Sequence, residues 1–116
     1  MTSNTIFFGW NRSIRGRERL SAQHFQDFVQ HLGGLEKAGR IASFEAFFLD
    51  AHGGDMNGGF LIRGEPSKLD AVMAGAEWIT HMTRAQLHLE GAGAVRAVTG
   101  QAVADRMALW TGLLPK

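Results

Sequence analysis

The chain has no cysteine, no tyrosine and only two prolines in 116 residues. Without cysteine there is no thiol nucleophile, no iron–sulfur cluster and no Cys-type zinc site. Without tyrosine there is no phenolic acid, so a general acid or base must come from His, Asp, Glu or Lys. Charge of one sign is also scarce: 12 Lys plus Arg against 11 Asp plus Glu leave a net +1. That balance gives no electrostatic footprint for a nucleic acid or a membrane surface. No apolar run reaches the length of about 18 residues that a membrane span needs. The N-terminal segment MTSNTIFFGW has no basic stretch followed by an apolar one, so a soluble, cytoplasmic protein is expected. GxGxxG after a strand, GxxxxGK[ST], HExxH, an EF-hand loop and GxSxG are all missing, which removes the sequence support for dinucleotide, P-loop, zincin, calcium and hydrolase-elbow chemistry.

What is present is a globular composition, 45% apolar, with 15 glycines. The length is that of one domain, residues 1–116, and a chain of this size sustains a core without disulfides. The glycines gather at 53, 54, 58 and 59 and again at 91, 93 and 100, where strands are expected to begin, bend or end.

Residues 5–10 (TIFFGW) are short, aromatic and apolar and read as a first strand. Over residues 17–38 the period changes. Leu20, Phe25, Phe28, Val29, Leu32 and Leu35 recur at helical spacing, and Gly39 supplies the stop. Residues 41–50 and 59–64 read as a hairpin joined by AHGGDMNG. Pro66 opens a second helix, whose stripe of Leu69, Val72 and Met73 resumes after a break at Gly75 through Trp78, Ile79 and Met82. Residues 87–98 (LHLEGAGAVRAV) read as a fourth strand bent at its glycines, which would put His88, Glu90 and Arg96 on one face. Thr99 is the expected N-cap of a last helix with Val103, Met107, Trp110 and Leu114 on one side.

This order is the βαββαβ pattern of a ferredoxin-like α+β sandwich, with a four-stranded antiparallel sheet and an added C-terminal helix. Alternation makes both sheet faces apolar. In the first strand Ile6, Phe8 and Trp10 oppose Phe7, and in the second Phe44 and Phe48 oppose Ile41, Phe47 and Leu49. Two helices cover one face, so a homodimer is expected to cover the other. The alternative is that the C-terminal helix folds back over it.

The element order, the double-sided strands and the hairpin HGGDMNGGFLIRG followed by EPSKLDAV resemble the dimeric α/β-barrel superfamily, and within it YCII-related domains. The resemblance implies two sheets packed face to face in a dimer, and a site built on a His and an Asp. His24 or His52 stands at the His position and Asp55 at the Asp position.

The segment 52–59, HGGDMNGG, places a base, a carboxylate and an amide (His52, Asp55, Asn57) on a backbone that glycines free to approach a ligand. The same segment also reads as a pair of turns. His81 follows Trp78 by three residues on one helical face, a candidate pocket wall. His24 and His31 are two turns apart, about 10 Å, too far to share a metal ion. Two functions remain open. One is a cofactor-independent enzyme acting on a small aromatic or carbonyl compound, with His52 or His81 as base, Asp55 orienting it, Arg12 or Arg63 holding an anionic group, and Trp10, Asn57 and Trp78 as further ligand contacts. The other is a noncatalytic dimer that binds a small ligand or serves as structure. Neither reading requires a metal or a cofactor, and the expected partners are a second copy and a small molecule.

Overall fold

The computed structural model describes residues 3–116. Its elements are β1 (Thr5–Trp10), β2 (Arg12–Ser13), α1 (Glu18–Lys37), β3 (Ser43–Phe48), β4 (Gly58–Arg63), α2 (Pro66–Ala74), α3 (Ala76–His88), β5 (Leu89–Glu90), β6 (Gly93–Ala97) and α4 (Gln101–Gly112). The main sheet has the order β3-β4-β1-β6, antiparallel throughout, and β2 pairs with β5 in a separate two-stranded ladder.

Helix α1 has Glu18 in its first turn and Lys37 in its last, each matching the sign of the helix dipole. It ends at Ala38, and Gly39 follows at φ 72°, where a side chain would be strained. Its buried positions His24, Phe28, Leu32 and Leu35 repeat at four, four and three residues, which lays one stripe on the sheet. Pro66 begins α2, and Gly75, in extended backbone, separates α2 from α3.

The core lies between the inner sheet face and these helices. Ile6, Phe8, Phe60 and Ile62 meet Phe28, Leu32, Leu69, Val72 and Trp78 there. Burying one such side chain contributes about 2–3 kcal/mol. The outer face carries Phe7, Phe47, Leu61 and Val95 by register. Phe7 and Phe47 stack at 6.1 Å, and each lies flat over a glycine: a Cβ on Gly9 would come 2.7 Å from Phe7 Cζ, and one on Gly59 2.8 Å from Phe47 Cζ. The result is a level apolar surface in place of a ridged one.

Two sequence expectations change, and one alternative drops out. Residues 87–98 are not one strand: α3 continues through His88, and Gly91 at φ 65° turns the chain between β5 and β6. His88, Glu90 and Arg96 therefore share no face. His88 is held in the core, Glu90 pairs with Arg12 in the small ladder, and Arg96 binds Asp70 and, through Nη2, the Ser3 carbonyl at 2.9 Å. Thr99 does not cap α4; Gly100 stands at that position, while the Thr99 hydroxyl meets Thr5 Oγ1 at 3.0 Å. Nor does α4 fold back. None of its residues is buried, Met107, Leu109, Trp110 and the following Leu113 are more than half exposed, and the molecule extends 54 × 38 × 20 Å with a radius of gyration of 15.9 Å, against about 13 Å for a compact chain of this length. No helix among the described residues is long and apolar enough to cross a membrane.

Candidate functional site

Two helical faces build the site. On α1, Ser21, His24, Phe28 and His31 are spaced three, four and three residues apart, which sets them on one side of the helix. On α3, His81, Ala85 and His88 do the same, and the two stripes face each other. The last turn of α3 is anchored by the β2–β5 ladder, with Ile14 N donating to the His88 carbonyl at 2.8 Å.

The side chains then form one chain of hydrogen bonds. Ser21 Oγ lies 2.8 Å from His88 Nδ1, His88 Nε2 lies 2.7 Å from His24 Nδ1, and His24 Nε2 lies 3.0 Å from His81 Nδ1. Ser13 Oγ meets Ser21 Oγ at 2.7 Å at the other end. His24 and His88 are buried, whereas His81 is half-buried. His31 stacks against His81 with ring centres 4.6 Å apart and bonds Glu77 through Nδ1 at 3.2 Å. Its Nε2 is buried without a partner.

Burial comes first among the causes that hold these rings below the usual histidine value. It takes His24 down to about 4, with the cation of Arg84 next in effect. His31, His81 and His88 are lowered mainly by the same desolvation. Arg84 itself is paired to Asp27 at 2.9 Å, and that hydrogen bond lowers the Asp27 carboxyl. The rings are consequently neutral at pH 7, each with one N–H and one acceptor nitrogen. Two complete registers satisfy the chain: every shared proton on Nε2, or every one on Nδ1. The first leaves His88 Nδ1 as an acceptor facing the Ser21 hydroxyl.

Ser21, His24 and His88 form the polar wall of a cavity of about 440 Å³ whose other walls are Phe8, Trp10, Phe25, Phe28, Phe60, Leu89 and Phe48. Phe48, 71% exposed, stands at its mouth with Trp10 and Phe25 as aromatic neighbours. A largely aromatic pocket with a few convergent polar groups is the usual form of a small-molecule site.

The residues expected from sequence are distributed unevenly around it. Trp10 is in the cavity wall, and His81 ends the hydrogen-bond chain behind it. Trp78 is a buried core ring against Phe28, with ring centres 5.7 Å apart. His52 is exposed and turns back to the Asp50 carbonyl at 2.9 Å. Asp55 is exposed and pairs with Arg12 at 3.5 Å. Asn57 donates to the carbonyls of Asn11 and Asp55, and Arg63 pairs with Glu45 across the outer face at 3.2 Å. None of Trp78, His52, Asp55, Arg12, Asn57 and Arg63 lines the cavity. Ser21, His24 and His88 do not stand out together in the sequence, although the intervals Ser21–His24–His31 and His81–His88 carry the signal. The imidazoles pair off nitrogen to nitrogen, and among the described residues no group of three or more ligating side chains converges on a point for a metal ion.

No family model matches the chain, and no curated protein matches it. A solved structure does: the crystal structure of a dimeric protein of unknown function and ferredoxin-like fold from Bacteroides fragilis NCTC 9343, with a TM-score of 0.57 and 9% identity over 82% of this chain and 95% of that one. The fold is ferredoxin-like. In this chain the helices lie over one face of the four-stranded antiparallel sheet, and the cavity sits between that face and α1.

Proposed function

We propose that the aromatic cavity takes a small aromatic or carbonyl compound and that Ser21 and His88 exchange a proton with it, without a resident cofactor. The observation that carries this reading is the placement of the half-buried Ser21 and the buried His88 and His24, hydrogen-bonded in series, on one wall of a largely aromatic cavity. Groups so placed orient a ligand's polar atom, while the phenylalanines hold its ring by burial and edge contacts worth about 0.5–1.5 kcal/mol each. Isothermal titration calorimetry with 2-naphthol against naphthalene tests it. Binding of 2-naphthol that weakens in Ser21→Ala supports the reading; equal affinity in both proteins, or none in either, contradicts it.

A second reading, a noncatalytic ligand-binding dimer, is favoured by the engagement of both His88 nitrogens inside the protein. Under it an aromatic carbonyl compound binds and is recovered unchanged.

The assembly we propose is a homodimer of the YCII-like, dimeric α/β-barrel kind, with two copies of the level outer face apposed. Support comes from the apolar character of Phe7, Phe47, Leu61 and Val95, from the exposed apolar side of α4, and from the dimeric state of the Bacteroides fragilis protein. Apolar surface left in water on this scale marks an interaction site.

A further inference from the structure

The hydrogen-bond chain has the connectivity of an activated nucleophile: hydroxyl, imidazole base, and a third group that fixes the base. We propose that Ser21 is a nucleophile for acyl transfer and that the cavity accepts the acyl or leaving group of a small, apolar carboxylic ester. This deepens the cavity reading above and rests on it.

The geometry supplies each part. Ser21 lines the cavity, and its Oγ stands 2.8 Å from His88 Nδ1. With the shared proton of the next pair on His88 Nε2, directed at His24 Nδ1 2.7 Å away, His88 is held in the tautomer that leaves Nδ1 free to accept. His24 in turn gives its Nε2 proton to His81 Nδ1 at 3.0 Å. His24 and His81 are therefore positioning residues; Ser21 and His88 do the chemistry. Ser21 also lies in the first turn of the 20-residue α1, where the positive end of the helix favours developing negative charge.

The step balances without any co-reactant other than water. Ser21 Oγ forms a bond to the ester carbonyl carbon as its proton passes to His88 Nδ1. The tetrahedral adduct collapses, the carbon–oxygen bond to the leaving group breaks, and the alcohol departs with the proton from His88. Water then attacks the acyl-serine, giving its proton to His88, and the acid leaves as Ser21 regains a proton from the same ring.

A fluorophosphonate probe carrying an alkyl chain tests this, with the adduct located by peptide mass spectrometry. The expected result is a single adduct on Ser21. In His88→Gln the labelling rate should fall at least about 100-fold, the scale of a lost general base, while the circular dichroism stays that of the natural chain. No adduct on Ser21, or an equal rate in His88→Gln, overturns the proposal. Calorimetry keeps the two readings apart: 2-naphthol binding without labelling refutes the nucleophile and leaves the cavity reading standing, whereas labelling without 2-naphthol binding does the reverse. Ser21→Thr keeps a hydroxyl at the site and should retain part of the labelling, so a fold lost in one variant does not decide the matter.

Discussion

His24 Nδ1 and His88 Nε2 face each other at 2.7 Å inside the protein, so a single proton serves two buried rings. That pairing removes one nitrogen of each from all other use. It also ties the end of α3 to the first half of α1, and any change at one ring is felt at the other.

Replacing His24 by Ala leaves His88 Nε2 and His81 Nδ1 without their buried partner and opens a cavity beside Phe28. The expected cost is about 2–4 kcal/mol, combining the lost packing with unsatisfied polar atoms. Urea unfolding checks it, and the loss should appear in the midpoint with an unchanged slope.

Acid should destabilise the fold through these rings. The folded His24 value, about 4, lies below the unfolded 6.5, so between these two the unfolded chain binds protons that the folded one refuses. Stability is complete above pH 6.5 and is lost as pH falls toward 4, by about 3 kcal/mol at most from this ring alone. His31, His81 and His88 act in the same direction. The groups packed around them are Arg84, Asp27, Glu77 and Arg40, and the acidic members soften the effect without reversing it. Scanning calorimetry at pH 7.5 and pH 5 should show the lower melting temperature at pH 5, and His24→Phe should flatten the difference.

Val95 is 59% exposed on the outer sheet face, so Val95→Glu should leave the protomer folded. It places a carboxylate in the proposed twofold interface, where burial of an unpaired charge costs several kcal/mol. Sedimentation equilibrium should report a dimer for the natural chain and a monomer for the variant.

Much of the fold was legible because its signals are local. TIFFGW, the α1 stripe and Pro66 each announce an element within a few residues, and alternation in β1 and β3 exposes the two-sided sheet. The boundary at residue 88 was not, since LHLE fits a strand as well as a helix end, and what decides it is the tertiary bond of His88 to His24. The site was half legible for the same reason. HGGDMNGG is conspicuous in sequence, but its polar side chains are turned to nearby backbone or to Arg12 at the surface. Ser21 and His88 look ordinary one by one, His24 stands out only through the family resemblance, and the three become a site only when α1 and α3 pack face to face.

Gly91→Ala tests the turn that separates those halves. At φ 65° a side chain is strained, and a Cβ there would collide with the Asn11 amide. A loss of about 1–3 kcal/mol is expected, seen as a fall of several degrees in melting temperature.

The most direct measurement is a two-dimensional amide NMR titration of the natural chain with 2-naphthol. Shifts are expected to concentrate at Ser21, Phe25, Phe48, His88 and Leu89, around the aromatic cavity, with the 52–59 loop unmoved. Shifts centred on His52, Asp55 and Asn57, or none at the cavity at millimolar ligand, would contradict it.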